Sequence, residues 1–249
     1  MVREMNLYKA EEFTLSSYTN LLNLTKKKFV FRNYNNFRSD ENFVLWRHDV
    51  DLSLEQALVI AQIEAELNIT STFFIHLHNE FYNLLDQSSQ YLVKELISLD
   101  RAIGLHFDVN YYSISSTKEL NKWLAFEKNV LEAIFDIKIN VFSFHNTNRH
   151  TEFFEESVYA EMINTYSSYF KNKISYCSDS NGYWRFKKLQ DVISDDEVKQ
   201  LQVLTHPGWW TENELLPREK VSSYVQNRAD STMRNYDDIL KKNDRCNLR

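Results

Sequence analysis

The stretch FVLWRHDVDLS, residues 43–53, begins as an apolar run and then places four ionisable side chains in the five positions 47–51. The apolar part predicts a buried strand, and carboxylates at its end cost several kcal/mol to desolvate unless a partner compensates them. Side chains alternate along a strand, so Arg47, Asp49 and Asp51 point to one face while His48 points to the other. The pattern predicts a strand that delivers carboxylates to a functional site.

The rest of the chain alternates short apolar runs with longer helical patterns. Strands are predicted over residues 43–51, 71–78, 102–108, 139–146, 174–179 and 201–206, with an additional strand within 28–37. Helices are predicted over residues 52–68, 88–100, 117–136 and 151–170, and a charged outer helix over 211–243. Alternating strands and helices predict a parallel sheet of βαβ units, either a closed or nearly closed barrel or a doubly wound sheet.

Composition predicts a globular protein and excludes several functional classes. A chain of 249 residues with 43% hydrophobic and 26% charged residues fits one domain over 1–249, with 1–40 and 211–249 as outer decorations. The net charge of −6 offers no basic surface for nucleic acid. Two cysteines are too few for a cysteine-based zinc site. No apolar run reaches the ~18 residues of a membrane span, and the N-terminus lacks a signal-peptide pattern, which predicts a cytoplasmic protein.

Ionisable residues collect at the C-terminal ends of the predicted strands. They are Asp49, Asp51, His76, His78, His106, Asp108, His145, Asp179 and His206. In a parallel α/β fold these strand ends share one rim, where functional sites are built. Histidine and aspartate without usable cysteine suit zinc, cobalt, nickel or iron. One aspartate can bind such a metal while a second accepts a proton from the attacking water.

Five segments carry a resemblance to polysaccharide deacetylases of the NodB-homology type. They appear in the family's order as WRHDVDLSLEQALVIAQIEAELNITSTFFI (46–75), IGLHFD (103–108), VFSFHN (141–146), SDSNGYWR (178–185) and LQVLTHPGWW (201–210). The chain resembles most closely a divergent branch linked to bacterial surface-polysaccharide biosynthesis. The resemblance implies an α/β fold, a distorted or incomplete (β/α) barrel of about six to seven parallel strands.

The resemblance also implies a metal-dependent hydrolase that removes an N-acyl (acetyl) group from a sugar or a sugar-linked precursor. The metal ligands it implies are Asp51 and His106, with zinc favoured over cobalt, nickel or iron. The catalytic residues it implies are Asp49 as general base, His206 as general acid, and Asp179 and Arg185 as orienting groups. Residues expected to contact the substrate are Arg47, His76, His78, Trp184 and Trp209.

Two departures from the family pattern bear on the metal site. The second metal histidine of the family lies four residues after the first, and here that position is Asn110. Either His145 or Asn110 then supplies the third ligand, and His145 is favoured because imidazole binds these metals better than an amide does. VFSFHN also lacks the arginine and proline usual in that segment.

Two other functions remain open on the sequence alone. The missing histidine suggests a catalytically degenerate relative that serves as a sugar-binding or assembly module, and metal content distinguishes it from an enzyme. A phosphoesterase or glycosyltransferase using HDVD is disfavoured, because the chain has no glycine-rich phosphate loop.

Overall fold

One sheet of ten strands forms the centre of the protein, which a computed structural model describes over residues 9–149 and 151–248. In chain order the strands are β1 Val30–Arg32, β2 Phe43–Val50, β3 Thr72–His76, β4 Ala102–Phe107, β5 Val141–Phe144, β6 Val158–Tyr159, β7 Met162–Asn164, β8 Ser175–Ser180, β9 Tyr183–Trp184 and β10 Gln200–Thr205. Their order across the sheet is β6-β7-β5-β4-β3-β2-β10-β8-β9, and β1 pairs with β2 outside that path.

The seven strands from β7 to β8 along this path are parallel to their neighbours, and the two end pairs are antiparallel. The predicted α/β fold with about seven parallel strands is confirmed. Seven α-helices accompany the sheet in the described ranges: α1 Leu15–Lys26, α2 Leu54–Glu66, α3 Gln87–Ser98, α4 Thr117–Phe135, α5 Ser168–Lys173, α6 Leu189–Ser194 and α7 Pro217–Lys242. Within those ranges no helix is long and apolar enough to cross a membrane.

The sheet curls strongly, as contacts between distant strands demonstrate. Ser143 of β5 and Asp49 of β2 are separated by two intervening strands, yet their side chains are 3.3 Å apart. Arg47 of β2 reaches Thr165, just after β7, at 2.6 Å. The path ends at β6 and β9, and these two described strands do not pair with each other, so the sheet does not close. An incomplete barrel, rather than a flat doubly wound sheet, accounts for these contacts.

The two faces of β2 belong to different cores. Val44, Trp46 and Val50 pack into the large core between the sheet and the helices. Phe43 and Leu45 join a smaller cluster inside the barrel. The alternation predicted for this strand therefore exists, with odd-numbered residues facing the barrel interior and even-numbered residues facing the helices.

A buried polar network joins β2 to the helices on the outer face. Glu64 of α2 lies 2.8 Å from His48 Nε2 and accepts hydrogen bonds from Tyr18 Oη at 2.6 Å and Ser71 Oγ at 2.5 Å. Thr205 of β10 contacts the other ring nitrogen of His48 at 2.8 Å. Burial opposes ionisation of Glu64, but His48 and the hydroxyl donors keep the pKa of this carboxyl below its usual value.

The helix predicted over residues 151–170 is wrong. This segment contains a 3-10 turn, Thr151–Phe153, then the hairpin of β6 and β7, and only the start of α5. Ala160 and Glu161 form the hairpin turn with φ angles of 47° and 63°, where asparagine and glycine are usual. Because this segment lacks those turn residues, the spacing of its apolar side chains indicated a helix.

The segments predicted as outer decorations contact the barrel. Tyr18 and Leu22 of α1 are fully buried in the large core, and β1 extends the sheet beside β2. Lys220 near the start of α7 is also fully buried and donates to the backbone oxygens of Phe13 and Trp209. Both segments therefore pack against the barrel.

Candidate metal and catalytic site

Three side chains at the C-terminal rim of the sheet bring ligand atoms to one point. His106 Nε2 is 3.2 Å from Asp51 Oδ1 and 3.1 Å from His145 Nδ1. The third side of the triangle, from His145 Nδ1 to Asp51 Oδ1, is 3.5 Å. Asp51 follows β2, His106 lies in β4 and His145 follows β5, so three parallel strands supply the three groups.

This triangle has the dimensions of a metal site. Zinc bonds of about 2.0–2.1 Å in a tetrahedron place neighbouring ligand atoms about 3.3 Å apart. The three distances between the Asp51, His106 and His145 atoms bracket that value. Asp51 Oδ1 is buried and has no hydrogen-bond partner with acceptable geometry. Two imidazoles and one carboxylate thus fit zinc or a similar divalent cation and leave a fourth position open.

The electrostatics of the triangle favour ionised aspartate. Burial opposes charge on Asp51, but His106, His145 and His206 hold the pKa of its carboxyl well below the usual value. In return, Asp51 raises the pKa of His145 against the effect of burial. A cation bound here therefore competes with a proton for His145, which makes its affinity depend on pH.

His206 stands next to the triangle with its ring fixed by Asp179. Its Nε2 is 3.8 Å from Asp51 Oδ2. Its Nδ1 bonds to the Asp179 carboxylate, which also accepts from the His206 backbone N–H and from Trp210 Nε1. Burial disfavours the imidazolium, but Asp179 outweighs that effect and raises the pKa of His206 to about 9. His206 is therefore a protonated group near neutral pH.

Asp49 lies next to the His106 ring, on its Nδ1 side. Its side chain is 3% exposed. One oxygen accepts from Ser143 Oγ at 3.3 Å and the other accepts from Arg47 at 3.1 Å. The Asp49 carboxylate is also 3.8 Å from His106 Nδ1. Its assignment as general base stays a prediction.

Among the described residues, neither of the two arginines predicted for the site makes an ion pair with Asp51. Arg47 is fully buried inside the barrel, where it bonds to Asp49, Thr165 and Tyr166 and lies over the Tyr166 ring. This placement argues against the predicted contact between Arg47 and substrate. Arg185 is exposed beside Phe186, and among the described residues it makes no ion pair with Asp49 or Asp179. The cation beside Asp49 is Arg47.

His76 and His78 border a cleft of about 400 Å³ that opens beside the triangle. The His76 ring packs 4.7 Å from that of His145, and its Nε2 is buried without a hydrogen-bond partner. Burial and the neighbouring histidines lower the pKa of His76 to about 3, so it is neutral. His78 contacts Tyr112 Oη at 2.7 Å and stacks on the exposed ring of Tyr111 at 3.7 Å. The structure thus brings both histidines to the cleft wall.

The predicted tryptophans differ in exposure. Trp209 is 8% exposed and belongs to the large core, which leaves little surface for stacking on a sugar. Trp184 is half-buried and packs against Phe13 and Trp210. Trp210, which sequence reasoning did not single out, is the tryptophan that touches the site through its bond to Asp179.

Of the two alternatives for the third ligand, the structure brings His145 to the triangle. Asn110 is exposed, and its amide oxygen accepts a hydrogen bond from Asn148 at 2.9 Å. Asp51, His106 and His145 are the one group of three histidine, cysteine or acidic side chains with converging ligand atoms that was found in the described ranges.

Sequence reasoning left Ser143 without a role. Its Oγ is fully buried between His106 Nδ1, at 2.7 Å, and Asp49 Oδ1, at 3.3 Å. The signal that identifies it is its position two residues before His145, on the same face of a strand.

Comparisons with known proteins gave similar structures only. No protein-family model and no curated protein matches the chain. The chain is similar to a family 4 carbohydrate esterase from Bacillus anthracis, at 12% identity and a TM-score of 0.44, over 90% of this chain and 91% of that one. The chitin deacetylase from the fungal pathogen Colletotrichum lindemuthianum also gives 12% identity and a TM-score of 0.44, over 76% and 84% of the two chains.

A third similar structure is a CE4 family pseudoenzyme from Bacillus anthracis, with 13% identity and a TM-score of 0.43, over 78% of this chain and 63% of that one. This chain therefore spans less than two thirds of the length of that pseudoenzyme. The fold is defined by the strand order and contacts of this chain itself.

Proposed function

We propose that the protein is a metal-dependent amide hydrolase that removes an N-acyl group, acetyl in the simplest case, from a sugar. The observation that carries the proposal is the metal-sized triangle of Asp51, His106 and His145 with a protonated histidine beside it. The sequence resemblance to polysaccharide deacetylases supplies the substrate class. A cytoplasmic location and a place in surface-polysaccharide biosynthesis are part of the same proposal.

Asp51, His106 and His145 would hold the metal, with zinc the first choice and cobalt, nickel or iron as alternatives. When bound, a divalent cation supplies an acidified water and polarises the acyl carbonyl. The remaining steps are proton transfers by the side chains around the metal position.

His206 is the proposed general acid. Amide hydrolysis adds the oxygen of water to the acyl carbon and breaks the C–N bond, and the departing nitrogen needs a proton. His206 holds that proton on Nε2, which faces the triangle, because Asp179 occupies Nδ1. Asp49 is the proposed base that accepts the proton of the attacking water. The products are a carboxylic acid and an amino sugar.

The charge of the cleft supports a neutral or amine-bearing sugar over a phosphorylated one. Glu80 and Asp108 lie on its wall, and among the described residues that line it there is no lysine or arginine. On that wall a phosphate or pyrophosphate group would meet the carboxylates of Glu80 and Asp108 and, among the described lining residues, no lysine or arginine. A phosphoesterase is therefore less well supported than an amide hydrolase.

The test combines metal analysis with an assay for released acid. We expect near-stoichiometric metal in the purified protein, and acetate release from N-acetylated amino-sugar oligomers. Asp51→Ala should lose both the metal and the activity. Glu66→Gln, a substitution on the exposed face of α2, is the matched control that should keep both.

Two results would count against the proposal. A protein that binds metal and releases no acid from any N-acylated sugar would be a different metalloprotein. A protein that binds no metal after incubation with zinc or cobalt would be the degenerate, sugar-binding relative.

A further inference from the structure

We propose that Ser143 is a positioning residue that fixes a proton on His106 Nδ1 and so keeps the His106 Nε2 lone pair directed at the metal position. This inference rests on the proposed metal site but concerns residues behind it. It assigns a role to the buried contacts among His106, Ser143, Asp49 and Arg47. Binding of a metal by Asp51, His106 and His145 does not by itself require these contacts.

The four side chains form one hydrogen-bonded chain. Arg47 donates to Asp49 Oδ2 at 3.1 Å, and Ser143 Oγ donates to Asp49 Oδ1 at 3.3 Å. Ser143 Oγ is also 2.7 Å from His106 Nδ1. All four residues are at most 2% exposed, so water does not compete for these groups.

The direction of every bond in this chain is determined by chemistry. A guanidinium only donates, and an ionised carboxylate only accepts. Ser143 has a single hydroxyl proton, which it donates to Asp49 Oδ1 in a hydrogen bond. The Ser143 oxygen must therefore accept from His106, which requires a proton on His106 Nδ1. A neutral His106 then carries its lone pair on Nε2, the atom that faces Asp51 and His145.

Arg47 anchors the far end of the chain. It is held by Thr165 Oγ1 at 2.6 Å and Tyr166 Oη at 2.8 Å, both in the segment that follows β7. Asp49 therefore cannot swing away from Ser143 without leaving a buried guanidinium unpaired, which is costly. His145 differs, because within the described ranges its second ring nitrogen bonds to the exposed side chain of Asn146. Of the two histidine ligands, His106 is therefore the one that a buried side chain holds in place.

Zinc affinity is the first measurement. Loss of a hydrogen-bond partner behind a metal histidine lowers metal affinity by about 10–100-fold. We expect that loss in Ser143→Ala, measured by competition with a zinc chelator. Ser143→Thr keeps the hydroxyl and should recover most of the affinity. Ser89→Ala removes a buried serine from α3 and is the matched control, with unchanged affinity.

The second measurement uses the unaltered protein and does not depend on a variant that folds. Long-range ¹H–¹⁵N spectra of the histidine rings report which nitrogen is protonated. We expect a proton on His106 Nδ1 in both the metal-free and the zinc-loaded protein. A neutral His106 ring protonated only on Nε2 would overturn the proposal, as would a zinc affinity of Ser143→Ala equal to that of the parent.

The two proposals can fail separately. If the protein binds zinc and Ser143→Ala binds it more weakly, the positioning role holds even when no acid is released from any sugar. If the protein never binds zinc, the proposed function fails, and the His106 spectrum still decides whether Ser143 fixes the proton.

Discussion

Asp179 holds His206 from two directions, because its carboxylate accepts hydrogen bonds from both the ring and the backbone N–H of that residue. The ring therefore cannot rotate without losing a buried bond. With Nδ1 occupied in this way, Nε2 is the atom that faces Asp51. A single carboxylate thus sets the orientation and the charge of the proposed general acid.

The first prediction concerns the ionisation of His206. Asp179→Asn should lower the pKa of His206 from about 9 toward the usual ~6.5, because the charge that outweighs burial is removed. Because folding raises its pKa, His206 stabilises the metal-free protein. This contribution is fully present below about pH 6.5 and disappears as the pH rises to about 9.

The raised pKa of His206 contributes about 3 kcal/mol to the free energy of unfolding, because one pKa unit is worth about 1.4 kcal/mol. Urea denaturation of the metal-free protein between pH 6 and 9 should show that decline in the parent and a smaller one in Asp179→Asn. Asp196→Asn, at an exposed position, is the control. Identical pH profiles for parent and Asp179→Asn would contradict the coupling.

The second prediction separates the two alternatives for the third metal ligand. His145→Ala should reduce bound zinc to a small fraction of the parent value, because two ligands remain. Asn110→Ala should leave the zinc content unchanged, since the Asn110 amide bonds to Asn148 rather than to the triangle. Elemental analysis of both variants is the measurement. The reverse pattern would restore Asn110 as the ligand.

The third prediction tests Asp49 as general base. Asp49→Asn keeps the size of the side chain and an acceptor for Ser143, so zinc binding should persist. Acid release from the N-acylated sugar should fall by about 10²–10⁴-fold, the usual contribution of a general base. Activity within a few-fold of the parent would assign the base to another group.

The fourth prediction concerns the outer polar network. Glu64→Ala should lower the free energy of unfolding by about 3–5 kcal/mol, because His48, Tyr18 and Ser71 lose a buried acceptor. The folded protein lowers the pKa of Glu64, so its contribution is present above about pH 4.5 and is lost as the pH falls.

Urea denaturation at pH 7 and pH 4 measures both effects. Glu66→Ala, two residues further along α2 and exposed, should cost little. A Glu64→Ala cost as small as that of Glu66→Ala would mean that the network does not stabilise the fold.

The fifth prediction concerns space inside the barrel. A Cβ atom at Gly104 would lie 2.5 Å from Phe74 Cε1 and 3.1 Å from Val141 Cγ1. Gly104→Ala should therefore lower the free energy of unfolding by about 1–3 kcal/mol through overpacking. Combining it with Phe74→Leu should recover part of this loss, so the double variant should be more stable than the sum of the two single effects. Strict additivity would show that the two residues do not clash.

Much of the site follows from the sequence because strand geometry is regular. The alternation in β2 separates Asp49 from His48, and the common rim of parallel strands brings Asp51, His106 and His145 together. The preference for His145 over Asn110 also follows from ligand chemistry alone. These arguments use only the period of a strand and the direction of its neighbours.

The predictions for Arg47 and for residues 151–170 failed because they depend on contacts between residues distant in sequence. The sequence predicts that Arg47 contacts substrate, whereas its side chain is fully buried inside the barrel and donates to Thr165 and Tyr166. Those partners lie in the segment that was predicted as a helix, so the two errors are linked. The tight turn at Ala160 and Glu161 carries no residue typical of such turns, and no local pattern reveals it.

The strand β2 carries two independent polar systems on its opposite faces, one holding the helices through His48 and one serving the rim through Asp49. Since a sheet backbone lies between them, substitutions in one need not disturb the other. Substitutions at the rim can therefore alter the chemistry of the site while the contacts of His48 and Glu64 continue to hold α2 against the sheet.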